Sequence, residues 1–162
     1  MPHPPTLRDR AARPRVVIDL EKVDHYDPAD FWEPVPSRPD ARLILMPGDF
    51  YILGSKERVS VPPAFAAEMI PYDPSMGEFR VHYAGFFDPG FGYGSGELKG
   101  TRAILEVRSY EVPYLMKDGQ RIGRLSYQRL LEPPEKLYGS AETGSSYQDQ
   151  GLGLSKQFCR PK

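Results

Sequence analysis

The sequence predicts an all-β domain, a distorted barrel or sandwich with at most short helices. Three observations carry that expectation. Apolar residues come in short runs rather than at long helical spacing. Turn sequences such as Pro47-Gly48-Asp49 and Lys117-Asp118-Gly119 separate those runs, and such residues supply the backbone angles of tight reversals. The 18 prolines among 162 residues are scattered between the runs, at about twice the usual share. Each removes a backbone donor and ends a helix.

The elements follow in order. Residues 1–14 are rich in proline and arginine without periodicity and are expected to form a flexible arm. Residues 15–20 read as a first short strand. Residues 24–38 set Trp32 and other rings among prolines and acids, and are expected to pack irregularly onto the domain. Strand signals become regular at Leu43-Ile44-Leu45, then Phe50-Tyr51-Ile52-Leu53 after the Pro47 turn. Residues 58–61 form another run. The apolar run 64–70 fits a short helix or a buried strand, and periodicity does not choose between them. Residues 79–83 and 103–109 read as strands. Lys117-Asp118-Gly119 is a hairpin turn in this reading, followed by a long strand over 121–131. The expected division is therefore an arm at 1–14, a β domain at 15–143 and a tail at 144–162.

Charge and composition exclude some functions. A net charge of −1 gives no global positive field for nucleic acid or membrane. No apolar run has the length of a membrane span, and the first residues lack the apolar core of a signal peptide. The single cysteine, Cys159, excludes an internal disulfide and a multi-cysteine zinc site. A cytoplasmic location is the expectation.

Glu106 is the leading candidate for chemistry. On a strand, Arg102, Ile104, Glu106 and Arg108 share one face, and Ala103, Leu105 and Val107 share the other. The second set is uniformly apolar and belongs to the core, which places Glu106 opposite. The competing reading is an ordinary ion pair with the flanking arginines. Asp88 in Asp88-Pro89-Gly90 either closes an Asx-turn or presents a carboxylate beside Phe87 or Phe91, where a sugar and base would sit. His82 lacks partners at metal-ligand spacing. Ser145 and Ser146 lack a histidine partner for nucleophilic chemistry. The glycines at 90, 92, 94, 96 and 100 lack the lysine–hydroxyl ending of a P-loop and read as a connection between strands. The tail is either disordered or, through alternating Leu152 and Leu154, able to order over a ligand.

Taken in order, these segments resemble the deoxycytidine triphosphate deaminases, relatives of the trimeric deoxyuridine triphosphatases. The segments are Leu45-Met46-Pro47-Gly48-Asp49-Phe50, Val59-Ser60-Val61-Pro62, the stretch 84–90 ending in Asp-Pro-Gly, Leu105-Glu106-Val107 and the tail 147–151. The resemblance runs from about residue 43 to residue 158. It implies a deoxyuridine triphosphatase-like β-clip fold and hydrolytic deamination of dCTP to dUTP or dUMP with release of ammonia. By resemblance, Glu106 is the proton shuttle and the Ala84 carbonyl helps hold the attacking water. Asp88 and Phe91 contact the nucleoside, and Tyr138, Tyr147 and Gln150 close over base and phosphates.

The zinc-deaminase signature Pro-Cys-x-x-Cys is missing. The implied route therefore uses no zinc, and Mg2+ accompanies the triphosphate as counter-ion. Single-domain members carry an arginine-serine phosphate motif where this chain reads Ile70-Pro71-Tyr72 and Ser75. Ser146 stands at their tail lysine. The chain resembles the C-terminal half of a long tandem form, including Phe31-Trp32-Glu33-Pro34. That likeness implies a homo-trimer, or a pseudo-trimer in which an N-terminal half completes the phosphate site. Two other readings stand beside it: a dUTP pyrophosphatase using Asp88, and a non-catalytic nucleotide-binding barrel.

Overall fold

The computed structural model describes residues 6–9, 17–36, 42–71, 79–82, 85–94, 100–109, 111–140, 143 and 152–159. In chain order the elements are β1 (Thr6–Asp9), α1 (Pro28–Phe31), β2 (Trp32–Pro34), β3 (Arg42–Leu45), β4 (Phe50–Val59), β5 (Phe65–Pro71), β6 (Phe79–His82), β7 (Phe86–Phe87), β8 (Thr101–Ser109), β9 (Tyr114–Lys117) and β10 (Gly123–Arg129). The strands form a five-stranded sheet ordered β2-β1-β4-β8-β6, a three-stranded sheet β10-β5-β7 and a two-stranded sheet β3-β9. The domain is all-β, and its sheets are not closed into one barrel. The four-residue α1 is the only α-helix among the described residues. Asp27 caps it by accepting from the Ala29 amide at 2.8 Å.

The core lies between the large sheet and the two smaller ones. β8 alternates as its sequence predicts: Ala103, Leu105 and Val107 are buried, and Arg102, Ile104 and Glu106 are half-buried. At one end Val59 and Ala103 meet Ala67, Phe87 and Phe91. At the other, Tyr51, Leu53, Leu105 and Val107 meet Leu45, with Tyr114 and Met116 alongside. Met69 packs against both clusters.

Several expectations are corrected by this arrangement. The run 64–70 is a strand, since β5 is held on both sides by β10 and β7. Residues 17–20 form no strand. The first strand instead lies in the expected arm: β1 sits between β2 and β4, where Asp9 Oδ1 accepts from the Phe50 amide at 2.8 Å. Composition alone made that stretch look loose, and pairing with two strands orders it. The turn after β9 does not make a hairpin, because β9 pairs with β3 and β10 with β5. Gln120 N donates to Lys117 O at 3.1 Å with Gly119 at φ +75°. That is type II geometry, which splays the flanking strands rather than pairing them.

The C-terminal segment is tied to the chain's other end. Backbone bonds run from Asp24 N to Lys156 O (3.0 Å), from His25 N to Gln157 O (2.9 Å) and from Cys159 N to Tyr26 O (2.9 Å). Phe158 is buried against Phe31, with ring centroids 5.4 Å apart. Phe158→Ala is expected to cost about 3 kcal/mol and to open this clasp. Chemical denaturation, with protease cleavage near the C-terminus, measures it.

Tyr51 is buried at 1% exposure. Its hydroxyl accepts from Met46 N at 3.0 Å and donates to Asp49 Oδ2 at 3.2 Å. Burial raises its pKa above the usual 10.0, and the Asp49 charge adds to this against the Met46 bond. A raised phenol pKa favours the protonated folded state. Its stabilisation is whole below the unfolded pKa and falls as pH rises through the folded one. Tyr51→Phe is expected to flatten the alkaline limb of stability above about pH 10, read from unfolding midpoints across that range.

Candidate functional site

Glu106 sits in the middle of the large sheet, in register with Ile52 of β4 on one side and His82 of β6 on the other. It is half-buried and faces away from the core between the sheets. Neither flanking arginine pairs with it. Arg102 donates through Nη1 to the carbonyls of Ser55 and Lys56, where β4 slips register between Gly54 and Arg58. Arg108 lies with its guanidinium carbon 5.6 Å from the Phe50 ring centroid. The ordinary ion pair is therefore not formed. The carboxylate makes no hydrogen bond or ion pair with any described residue.

Asp88 opens the second feature. Phe91 N donates to Asp88 O at 3.0 Å, and Gly90 stands at φ +98°. With Pro89 before the glycine, this is a type II turn. The backbone carbonyl closes it, so the exposed Asp88 carboxylate is not spent on an Asx-turn and has no hydrogen bond to a described residue. Gly90 N donates to Val61 O (3.0 Å), and Val61 N donates to Phe91 O (2.8 Å). These bonds lash the turn to the chain just after β4.

Tyr138 joins the same feature: its amide donates to Pro89 O at 2.9 Å, and its ring lies 5.6 Å from that of Phe91. A Cβ on Gly90 would come within 2.9 Å of Tyr138 O. Glycine is therefore required both for the turn and for the close approach. Phe91 itself is 9% exposed and packs on Phe87 at 5.1 Å, so its ring belongs to the core beneath the turn.

The structure thus brings Asp88, Phe91 and Tyr138 together, and Phe91 packs with Ala103 on the inner face of the large sheet, opposite the face that Glu106 occupies. Ala84, Tyr147 and Gln150 lie outside the described residues. A cavity of about 850 Å3 between the sheets is lined by the other face of β8, through Ala103 and Leu105, and by none of these candidates. Glu106 occupies the outer face of the large sheet. Sequence reasoning missed Phe50 and Trp32, whose rings pack 6.0 Å apart on that face beside Arg108. Only the strand order β2-β1-β4-β8 puts them there.

Among the described residues, no group of three His, Cys, Asp or Glu side chains could hold a metal ion, and no helix is long and apolar enough to cross a membrane.

A family model of the 2'-deoxycytidine 5'-triphosphate deaminase C-terminal domain matches residues 6–158. The chain belongs to the dCTP deaminase family. The family match begins at β1 and ends at Phe158 of the clasp, so it takes in the strand found within the expected arm.

The chain is similar to the "dCTP deaminase, dUMP-forming" of Nocardioides sp., at 35% identity over 141 residues, covering 83% of this chain and 70% of that relative. It is similar to the protein of the same name from Streptomyces coelicolor, at 32% over 167 residues, covering 98% and 83%. Among solved structures it resembles the 2'-deoxycytidine 5'-triphosphate deaminase from Agrobacterium tumefaciens, with TM-score 0.71 and 55% identity. That likeness covers 80% of this chain but 38% of the other. The chain therefore spans well under half of that deaminase's length.

Proposed function

We propose that this chain carries the deaminating glutamate of a dCTP deaminase and hydrolyses the C4–N bond of the cytosine in dCTP. The observation that supports this best is Glu106, a half-buried carboxylate that pairs with neither flanking arginine. A carboxylate without a counter-charge is able to take and return a proton. Glu106 takes a proton from water as it attacks C4 and delivers it to N3, then takes the proton of the new C4 hydroxyl and passes it to the exocyclic amine, so that the C4–N bond breaks to give the carbonyl and ammonia. The Ala84 carbonyl orients the water in this reading. Asp88, on a turn closed without its carboxylate, binds the sugar, and Phe91 supports that turn from beneath. Tyr138, Tyr147 and Gln150 close over base and phosphates.

In this reading no step passes through a resident metal. Mg2+ accompanies the triphosphate oxygens and neutralises their charge. The site is completed between barrels, in a homo-trimer or with an N-terminal half in a pseudo-trimer, and the reaction belongs to the cytoplasm.

Two curated relatives carry "dUMP-forming" in their names, which favours dUMP, pyrophosphate and ammonia as products from dCTP and two waters. Assaying ammonia and pyrophosphate together from dCTP with Mg2+ tests this. Both products indicate dUMP, and ammonia alone indicates dUTP. Pyrophosphate from dUTP with no ammonia from dCTP would replace the deaminase by a dUTP pyrophosphatase. Nucleotide binding without turnover, with the N-terminal half added, would leave a non-catalytic barrel.

A further inference from the structure

We propose that Arg108 anchors an oxyanion site on the Glu106 face of the large sheet and takes a phosphate group of the nucleotide substrate. The proposal rests on the deaminase reading for the identity of the ligand, but its geometry stands alone. Arg108 lies two residues beyond Glu106 on the same strand face, about 6.7 Å along β8. Its guanidinium is held over the Phe50 ring, which packs in turn on Trp32. The ring contact uses none of the guanidinium N–H donors, and their fork matches the spacing of phosphate oxygens. The side chain is exposed and pairs with no carboxylate among the described residues.

Most other described arginines near this sheet are engaged within the protein: Arg8 with Glu33, Arg58 with the Gly100 carbonyl and Arg102 with Ser55.

Calorimetric titration with inorganic tripolyphosphate, dCTP and deoxycytidine tests the assignment. Arg108→Gln is expected to weaken tripolyphosphate and dCTP about tenfold or more and to leave deoxycytidine unchanged. In the deaminase assay the same change raises KM with kcat nearly constant. Arg108→Lys restores part of the affinity, because it returns a charge without the fork. Phe50→Leu weakens tripolyphosphate in the same direction through loss of the ring contact. Arg108 is exposed, so a circular dichroism spectrum matching the parent protein is expected.

Unchanged tripolyphosphate affinity in Arg108→Gln, or equal loss for deoxycytidine, overturns the proposal. Arg108-dependent tripolyphosphate binding by a protein that releases no ammonia would sustain the site and remove the deaminase.

Discussion

Glu106→Gln is expected to lower ammonia release from dCTP by a factor on the order of 10²–10⁴, the usual worth of a positioned acid–base group. The amide has nearly the carboxylate's shape and no comparable proton affinity. The Glu106 carboxylate makes no hydrogen bond or ion pair with a described residue, and its side chain faces away from the packed core. Stability should therefore stay within about 0.5 kcal/mol of the parent. Nucleotide affinity should survive as well, which separates lost chemistry from lost binding. The measurement is ammonia release at saturating dCTP, beside a thermal midpoint for each protein. Turnover equal to the parent's would remove Glu106 from the chemistry.

Gly92→Ala is expected to destabilise the domain by about 3 kcal/mol or more, a drop of roughly 6–12 °C in midpoint for a domain of this size. Gly92 stands at φ +63°, where a side chain is strained. The added Cβ would also collide with the Val59 carbonyl oxygen and come within 2.7 Å of Thr101 N. Both are backbone atoms at paired positions of β4 and β8, so neither yields by a side-chain rotation. Gly94→Ala is the control: it has φ +72° but nothing within 4 Å. Its cost should be the backbone term alone, about 1–2 kcal/mol. Thermal unfolding of the pair separates crowding from conformation. Equal losses would mean that the crossing of β4 and β8 tolerates the methyl. Because this crossing also carries the Asp88 turn against Val61, Gly92→Ala should lower activity below its unfolding temperature too.

Much of this was legible one residue at a time. The alternation of β8, the Pro-Gly reversals at Gly48 and Gly90, and the side of the sheet that Glu106 occupies follow from local rules. A strand has a period of two, and a positive φ asks for glycine. These preferences act over a few neighbours, so a single sequence displays them. The order of the motifs also displayed the family.

The tertiary structure alone decided which segments meet. It drew Thr6–Asp9 out of an unpromising arm into the large sheet, sent β9 and β10 to different partners and settled 64–70 as a strand. It also turned Arg102 and Arg108 away from Glu106, one toward the carbonyls exposed by an irregular β4 and the other onto Phe50. The physical reason is that strand pairing and side-chain partnership join residues far apart in the chain. Arg108 and Phe50 are 58 positions apart in sequence yet in register across two strands. Local preference fixes what a residue is able to do, and the pairing of distant strands fixes which partner it has.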